Sequence, residues 1–193
     1  THSRTTDWAD SSTDAPRWNG LNDFGRQVIR EMNRLRMVVD VSHVSDATVE
    51  AVLEVSKQPI VASHSSCKAI ANHPRNLTDD LLRAIAKKGG VIGINFYNQF
   101  LDPDYHRGVQ ALHRDLLGEL NRPPAVPAER LDQVAADRIH NFGGGIKLPR
   151  PPFERILEHI DHVVNVAGID HVGLGGDLDS TAIPLPEGMD SVA

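Results

Sequence analysis

Four short apolar runs constrain this chain more than anything else in it. They are Met37-Val38-Val39-Asp40-Val41-Ser42-His43, Pro59-Ile60-Val61-Ala62-Ser63-His64, GGVIGINFY from Gly89 to Tyr97, and His171-Val172-Gly173-Leu174-Gly175-Gly176-Asp177. Their β-branched content and shortness predict strands rather than helices. None alternates with polar residues, which is the pattern of strands covered on both faces in a parallel sheet. Pro59 opens its run, where it removes no ladder hydrogen bond. Helices are expected between the runs over 22–36, 46–56 capped by Ser45, 79–88 capped by Thr78 and stopped by Gly89, and 153–167 ended by Gly168. The order is the β/α alternation of a parallel sheet, compatible with a doubly wound sheet or a β/α barrel.

One stretch departs from that alternation. Residues 102–150 hold two helical segments, about 106–120 and 128–141, separated by Pro123-Pro124 and Pro127 and closed by Gly143-Gly144-Gly145. So long a βα connection reads as an insertion, serving as a lid, an oligomer contact or surface decoration. The whole of 1–193 is expected to be a single domain or a large piece of one. The chain opens on Thr1-His2 without Met or a signal segment, and it reads as a cut-out.

Composition removes several functions. With 20 Lys and Arg against 26 Asp and Glu the net charge is -6, which lacks the electrostatic footprint of a general nucleic-acid binder. No apolar run approaches the roughly 20 residues of a membrane-spanning helix. The only cysteine, Cys67, excludes an internal disulfide framework, a Cys-type structural zinc site or an iron–sulfur cluster held by this chain alone. It is expected to be a small packed residue. A metal would have to rest on His, Asp and Glu, and ten His are available.

The candidate chemistry gathers at the carboxyl ends of the predicted strands, where parallel β/α folds bind ligands. His43 ends the first run, His64 the second, Asn95 and Tyr97 the third, and Asp177 with Asp179 the fourth; His2 would end an earlier strand. Neutral imidazole suits zinc, and His on neighbouring strands about 4.8 Å apart can converge on one ion. His43 and His64 need a carboxylate from elsewhere. Asp40 is expected to be structural, because strand alternation turns it from the face carrying His43. The glycines at 173–176 point to close backbone packing, since no Lys-Ser/Thr-capped helix follows them as in a phosphate loop. His73, His106, His113, His140, His159, His162 and His171 are expected at helix, loop or strand-start positions without a catalytic role.

Taken together, Asp40-Val41-Ser42-His43-Val44-Ser45, Ser63-His64-Ser65-Ser66, Pro74-Arg75-Asn76-Leu77, Asn95-Phe96-Tyr97-Asn98 and Gly173-Leu174-Gly175-Gly176-Asp177-Leu178-Asp179 resemble the renal, or membrane, dipeptidase family. Thr1-His2-Ser3, Trp8-Ala9-Asp10 and Gly20-Leu21 fit it too. The resemblance implies an α/β fold, the C-terminal part of a (β/α)8 TIM-type barrel of the amidohydrolase superfamily truncated at both ends. It also implies hydrolysis of dipeptides by water activated between two zinc ions.

Carried over by position, the resemblance makes His43 and His64 ligands of one zinc. His2 would hydrogen-bond the substrate carbonyl and the oxyanion formed from it. Arg75 would clamp the dipeptide's terminal carboxylate, and Asp177 would pass a proton from the bridging water to the leaving amine. Asp179 matches without an assigned role. The family's His-x-Asp pair and bridging Glu have no counterpart here, so this chain holds only part of one site's ligands and is expected to be inactive alone. The partner expected is a dipeptide or similar small molecule, with a homo-oligomer compatible and no nucleic acid or membrane segment. The alternatives are another amidohydrolase-type deacylase or lactonase, or a non-catalytic relative.

Overall fold

The computed structural model describes residues 1–120, 148–178 and 184–189. Among them the elements are α1 (Asp23–Arg34), β1 (Val39–Asp40), α2 (Asp46–Val55), β2 (Ile60–Ala62), α3 (Asp79–Lys87), β3 (Val91–Ile94), α4 (Asn98–Leu101), α5 (Pro103–Leu120), α6 (Glu154–Ala167) and β4 (Val172–Leu174). The strands form one sheet in chain order, β1-β2-β3-β4, every neighbouring pair parallel. This α/β layout with a helix after each of the first two strands is what the alternation predicted.

The helix ends follow from local chemistry. The side chains of Asn22, Ser45 and Thr78 accept hydrogen bonds from Gly25 N, Thr48 N and Leu81 N, satisfying otherwise orphaned donors of α1, α2 and α3. Asp102 does the same for α5, accepting from Asp104 N and Tyr105 N ahead of Pro103 at the first helical position. Gly168, at φ +101°, lets the chain leave α6 in a conformation that a Cβ would penalise. The second helical segment expected at 128–141 lies outside the described residues, and α4 falls between the third apolar run and the insertion, where the sequence predicts no helix.

One core joins sheet and helices. Ile60, Ala62, Ile92 and Ile94 of the strands cluster with Val49 and Val52 of α2, Leu82 and Ile85 of α3, and Val163 of α6. Val38 and Val91 remain exposed. No helix among the described residues is long and apolar enough to cross a membrane.

The strands are shorter than the apolar runs, and the reason bears on function. Asp40 Oδ1 accepts from Ser42 N (3.0 Å), and Asn95 Oδ1 from Tyr97 N (2.6 Å). Such Asx turns satisfy the backbone locally and end β1 and β3. After β4 the chain runs through Gly175 and Gly176 to Asp177 at φ +56°. His43, His64, Asn95 and Asp177 therefore sit on loops immediately beyond the strands rather than within them.

Candidate metal centre

The loops after β1 and β2 bring two imidazoles together. His64 Nε2 lies 2.8 Å from His43 Nε2, with ring centroids 4.9 Å apart. His2 stacks on the far side of His43 at 4.2 Å and 25°. It is carried there by the segment preceding α1, which is pinned to the end of β1: Ser12 N donates to His43 O (3.0 Å), and Ser11 Oγ reaches both His2 O (3.0 Å) and His43 O (3.4 Å). That segment is organised by the buried Asp10, whose carboxylate accepts from the backbone N–H groups of Arg17, Trp18 and Gly20.

Burial is the largest cause holding His43 down to about 3, with the positive charge of Arg75 and the neighbouring imidazoles adding to it. His64 is lowered for the same first reason, opposed by the Asp177 carboxylate. Both rings are neutral near pH 7, the form in which imidazole binds a cation. With zinc–nitrogen bonds of about 2.0–2.1 Å, two nitrogens of one tetrahedral ion stand roughly 3.3 Å apart, so a small spreading of this pair fits a single ion. The donor set is right for zinc but not sufficient for it. Among the described residues no group of three or more His, Cys, Asp or Glu side chains forms a metal cage.

Arg75 is buried beneath the pair, at 5% relative exposure. Its Nη2 donates to His64 O (3.4 Å), its guanidinium carbon lies 5.3 Å over the Phe100 ring, and its Nη1 is buried without a partner. Burial is the main cause that lowers it to about 10, opposed by Asp177 and Asp40. It stays charged at neutral pH, a cation with no bonded carboxylate among the described residues, and an unsatisfied buried donor of this kind calls for an explanation. His73 supports its backbone by accepting from Arg75 N (3.1 Å) and packs against Phe100.

Asp177 faces the same space from the end of β4. Asn95, fully buried, donates from Nδ2 to Asp177 Oδ2 (3.3 Å), its Oδ1 being taken by Tyr97 N. A Cβ on Gly175 would stand 1.9 Å from Ser63 O, so the glycine lets β4's loop press onto the backbone beside His64. The close packing expected of the 173–176 glycines is thus present.

The structure brings His2, His43, His64, Arg75 and Asp177 into one neighbourhood; Asp179 and His140 lie outside the described residues. Sequence reading missed Asn95 as the partner of Asp177, Asp10 as the organiser of the His2 segment, and Ser63 beside His64. Asn95 and Asp40, each an acceptor two residues ahead of a backbone N–H, carried the Asx-turn signal that could have found them. Three of the other histidines are held in bonds remote from this pair. His159 accepts from Cys67 N and donates to Leu101 O, His162 meets Asp79, and His171 meets Gly90 O. Cys67 is fully buried, and burial raises its thiol to about 12, which leaves it a packing residue.

Comparisons with known proteins bear on the family and the fold. A family model described as membrane dipeptidase, peptidase family M19, matches residues 1–193. An uncharacterized dipeptidase of Schizosaccharomyces pombe is 32% identical over 188 residues, 96% of this chain and 35% of that protein. Among solved structures, the probable dipeptidase PvdM from Pseudomonas aeruginosa aligns with a TM-score of 0.79 at 27% identity, over 96% of this chain and 51% of its own. A metallo peptidase from Rhodobacter sphaeroides, liganded with a phosphinate mimic of the dipeptide L-Ala-D-Ala, gives 0.67 at 26% identity over 97% and 43%. The chain thus spans from about a third to a half of the relatives it matches.

Proposed function

The chain belongs to the membrane dipeptidase family, its four-stranded sheet being part of that family's β/α barrel, and from this we propose that the whole protein is a zinc-dependent dipeptidase. The observation that carries the reading is the buried guanidinium of Arg75, with Nη1 unpartnered beside the His43–His64 pair. A dipeptide places a free carboxylate one residue from its scissile bond. A guanidinium is suited to that group, whereas a lactone or simple ester has no carboxylate to form the charge-assisted pair.

His43 and His64 would hold one zinc ion through Nε2. Zinc held there would supply a Lewis acid able to acidify water and polarise a carbonyl, and a second ion, whose His-x-Asp and Glu ligands have no counterpart in this chain, would share that chemistry in the whole protein. Arg75 binds the terminal carboxylate and fixes the peptide bond's position. His2 donates to the carbonyl oxygen as negative charge develops there. Asp177 accepts a proton from the attacking water as its oxygen bonds to the carbonyl carbon, then delivers that proton to the amine nitrogen as the C–N bond breaks. Asn95 keeps Asp177 aimed.

The test is an assay of the full-length protein with zinc on a panel of dipeptides, N-acyl amino acids and lactones. Chelator-sensitive release of two amino acids is expected. Turnover of acyl amino acids or lactones alone would assign a deacylase or lactonase instead, and no turnover of anything, a non-catalytic relative. Residues 1–193 expressed alone should be inactive, because two imidazoles bind zinc too weakly to sustain the chemistry.

A further inference from the structure

The hydrogen bonds behind His64 form a network in which every hydroxyl proton can be counted. Asp40 Oδ1 accepts from Ser42 N (3.0 Å), Ser42 Oγ (2.8 Å) and Ser63 N (3.2 Å), and Asp40 Oδ2 accepts from Ser63 Oγ at 2.5 Å. Ser42 Oγ in turn accepts from His64 N (3.0 Å) and lies 3.1 Å from Ser63 Oγ. Ser63 Oγ lies 2.7 Å from His64 Nδ1.

Asp40 stays exposed at its edge; the partial desolvation of its carboxyl raises it, but the bonds from Ser63 and Ser42 outweigh that and hold it below its ordinary value. Asp40 is therefore a carboxylate, an acceptor with no proton to give. Each serine has one hydroxyl proton, and Asp40 takes both. Ser63 Oγ can then meet His64 Nδ1 only as an acceptor, so the ring proton must sit on Nδ1.

We infer that Asp40 and Ser63 are positioning residues that lock His64 as its Nδ1–H tautomer, presenting the Nε2 lone pair toward His43 and a shared metal ion. The carboxylate acts through a hydroxyl, one bond further out than the usual carboxylate–histidine pair of a metal site. The inference rests on the reading of His64 as a ligand, but the tautomer itself is observable whatever the protein hydrolyses.

Asp40→Asn makes the argument sharp. Two of the donors to Oδ1 are backbone N–H groups that cannot reverse, so the amide oxygen takes that position and the amide nitrogen faces Ser63 Oγ. Nitrogen there donates. Ser63 then turns its own proton to His64 Nδ1, which at 2.7 Å is a nearer acceptor than Ser42 Oγ at 3.1 Å, and the ring proton moves to Nε2, where it blocks the metal.

The experiment is long-range proton–nitrogen NMR of the full-length protein with labelled histidine, metal removed by chelation, the His64 signals identified by their loss in His64→Ala. Zinc is then titrated back. The wild type should show Nδ1–H for His64. Asp40→Asn should show Nε2–H and a zinc Kd about 10- to 100-fold weaker. Ser63→Ala leaves the backbone bonds to Asp40 in place, so it covers the case in which Asp40→Asn fails to fold. It should populate the Nε2–H form and weaken zinc about 10-fold. An Nε2–H His64 in the wild type overturns the inference, as does wild-type tautomer and zinc Kd in the folded variants. A protein with the expected tautomer but no dipeptide turnover would keep this inference and reject the proposed function.

Discussion

His64 and His159 are both histidines with depressed basicity, and the two regions around them use the ring in opposite ways. His159, at 0% exposure on α6, has both nitrogens spent: Nδ1 accepts from Cys67 N and Nε2 donates to Leu101 O, each at 3.0 Å. It ties the helix to the loop after β2 and to the end of α4. His64 has Nδ1 anchored to Ser63, while among the described residues Nε2 meets only another imidazole nitrogen. A pair of like nitrogens 2.8 Å apart holds at best one proton between them, and is one cation short of a use. Residue type and depressed basicity do not separate a structural histidine from a ligand; an unspent nitrogen does.

The largest effect that would break the contrast is on catalysis. His64→Ala in the full-length protein should lower kcat/KM by about 1,000-fold or more and remove about one equivalent of zinc, with little change in the denaturation midpoint. Full metal content with normal turnover would put His64 in the same class as His159. Asp177→Asn should lower kcat by roughly 100- to 10,000-fold with zinc retained, since a proton carrier is lost and no ligand of the His43–His64 ion is touched.

His159→Leu should do the reverse. It strands a buried N–H and a buried C=O, so denaturant unfolding should show a loss of about 2–5 kcal/mol, while zinc stoichiometry stays unchanged. Arg75→Lys keeps the charge but loses the planar fork, and the KM for a dipeptide should rise about 10-fold with kcat altered less. An unchanged KM would remove Arg75 from substrate recognition.

The smallest expected effect is on pH. Burial, offset in part by the bond to Leu101 O, lowers His159 to about 4 from its ordinary 6.5. Above pH 6.5 the ring is neutral folded and unfolded, and its contribution to stability is whole. As pH falls from 6.5 toward 4 the unfolded chain binds a proton the folded one refuses, so stability declines through that window. The urea midpoint should therefore drop between pH 7 and 5 by more in the wild type than in His159→Leu; equal drops would show that His159 is not the group titrating.

Much of this was legible in the chain. Non-alternating β-branched runs announced a parallel sheet, because a strand buried on both faces admits no polar period. Asn22, Ser45, Thr78 and the glycines at 89 and 168 marked helix ends, since capping is a matter of one side chain and its nearest backbone. The family resemblance rested on local motifs for the same reason, and it named His43, His64 and Arg75 before any distance was known.

What the sequence could not decide involves groups remote in the chain. Asn95 meets Asp177 across 82 positions, and Asp40 reaches Ser63 across 23. The apolar runs also overstated the strands, because the bonds that end β1 and β3 come from side chains turning back on their own backbone. Arg75 shows the division best. Its sequence neighbours suit a surface ion pair as well as a binding site, and only packing against Phe100 and the His64 carbonyl buries the guanidinium with one nitrogen unspent. Sequence set which groups were available and how each short segment would turn. The tertiary structure decided which polar atoms were left without partners, because satisfaction of a hydrogen bond depends on every element that folds against it.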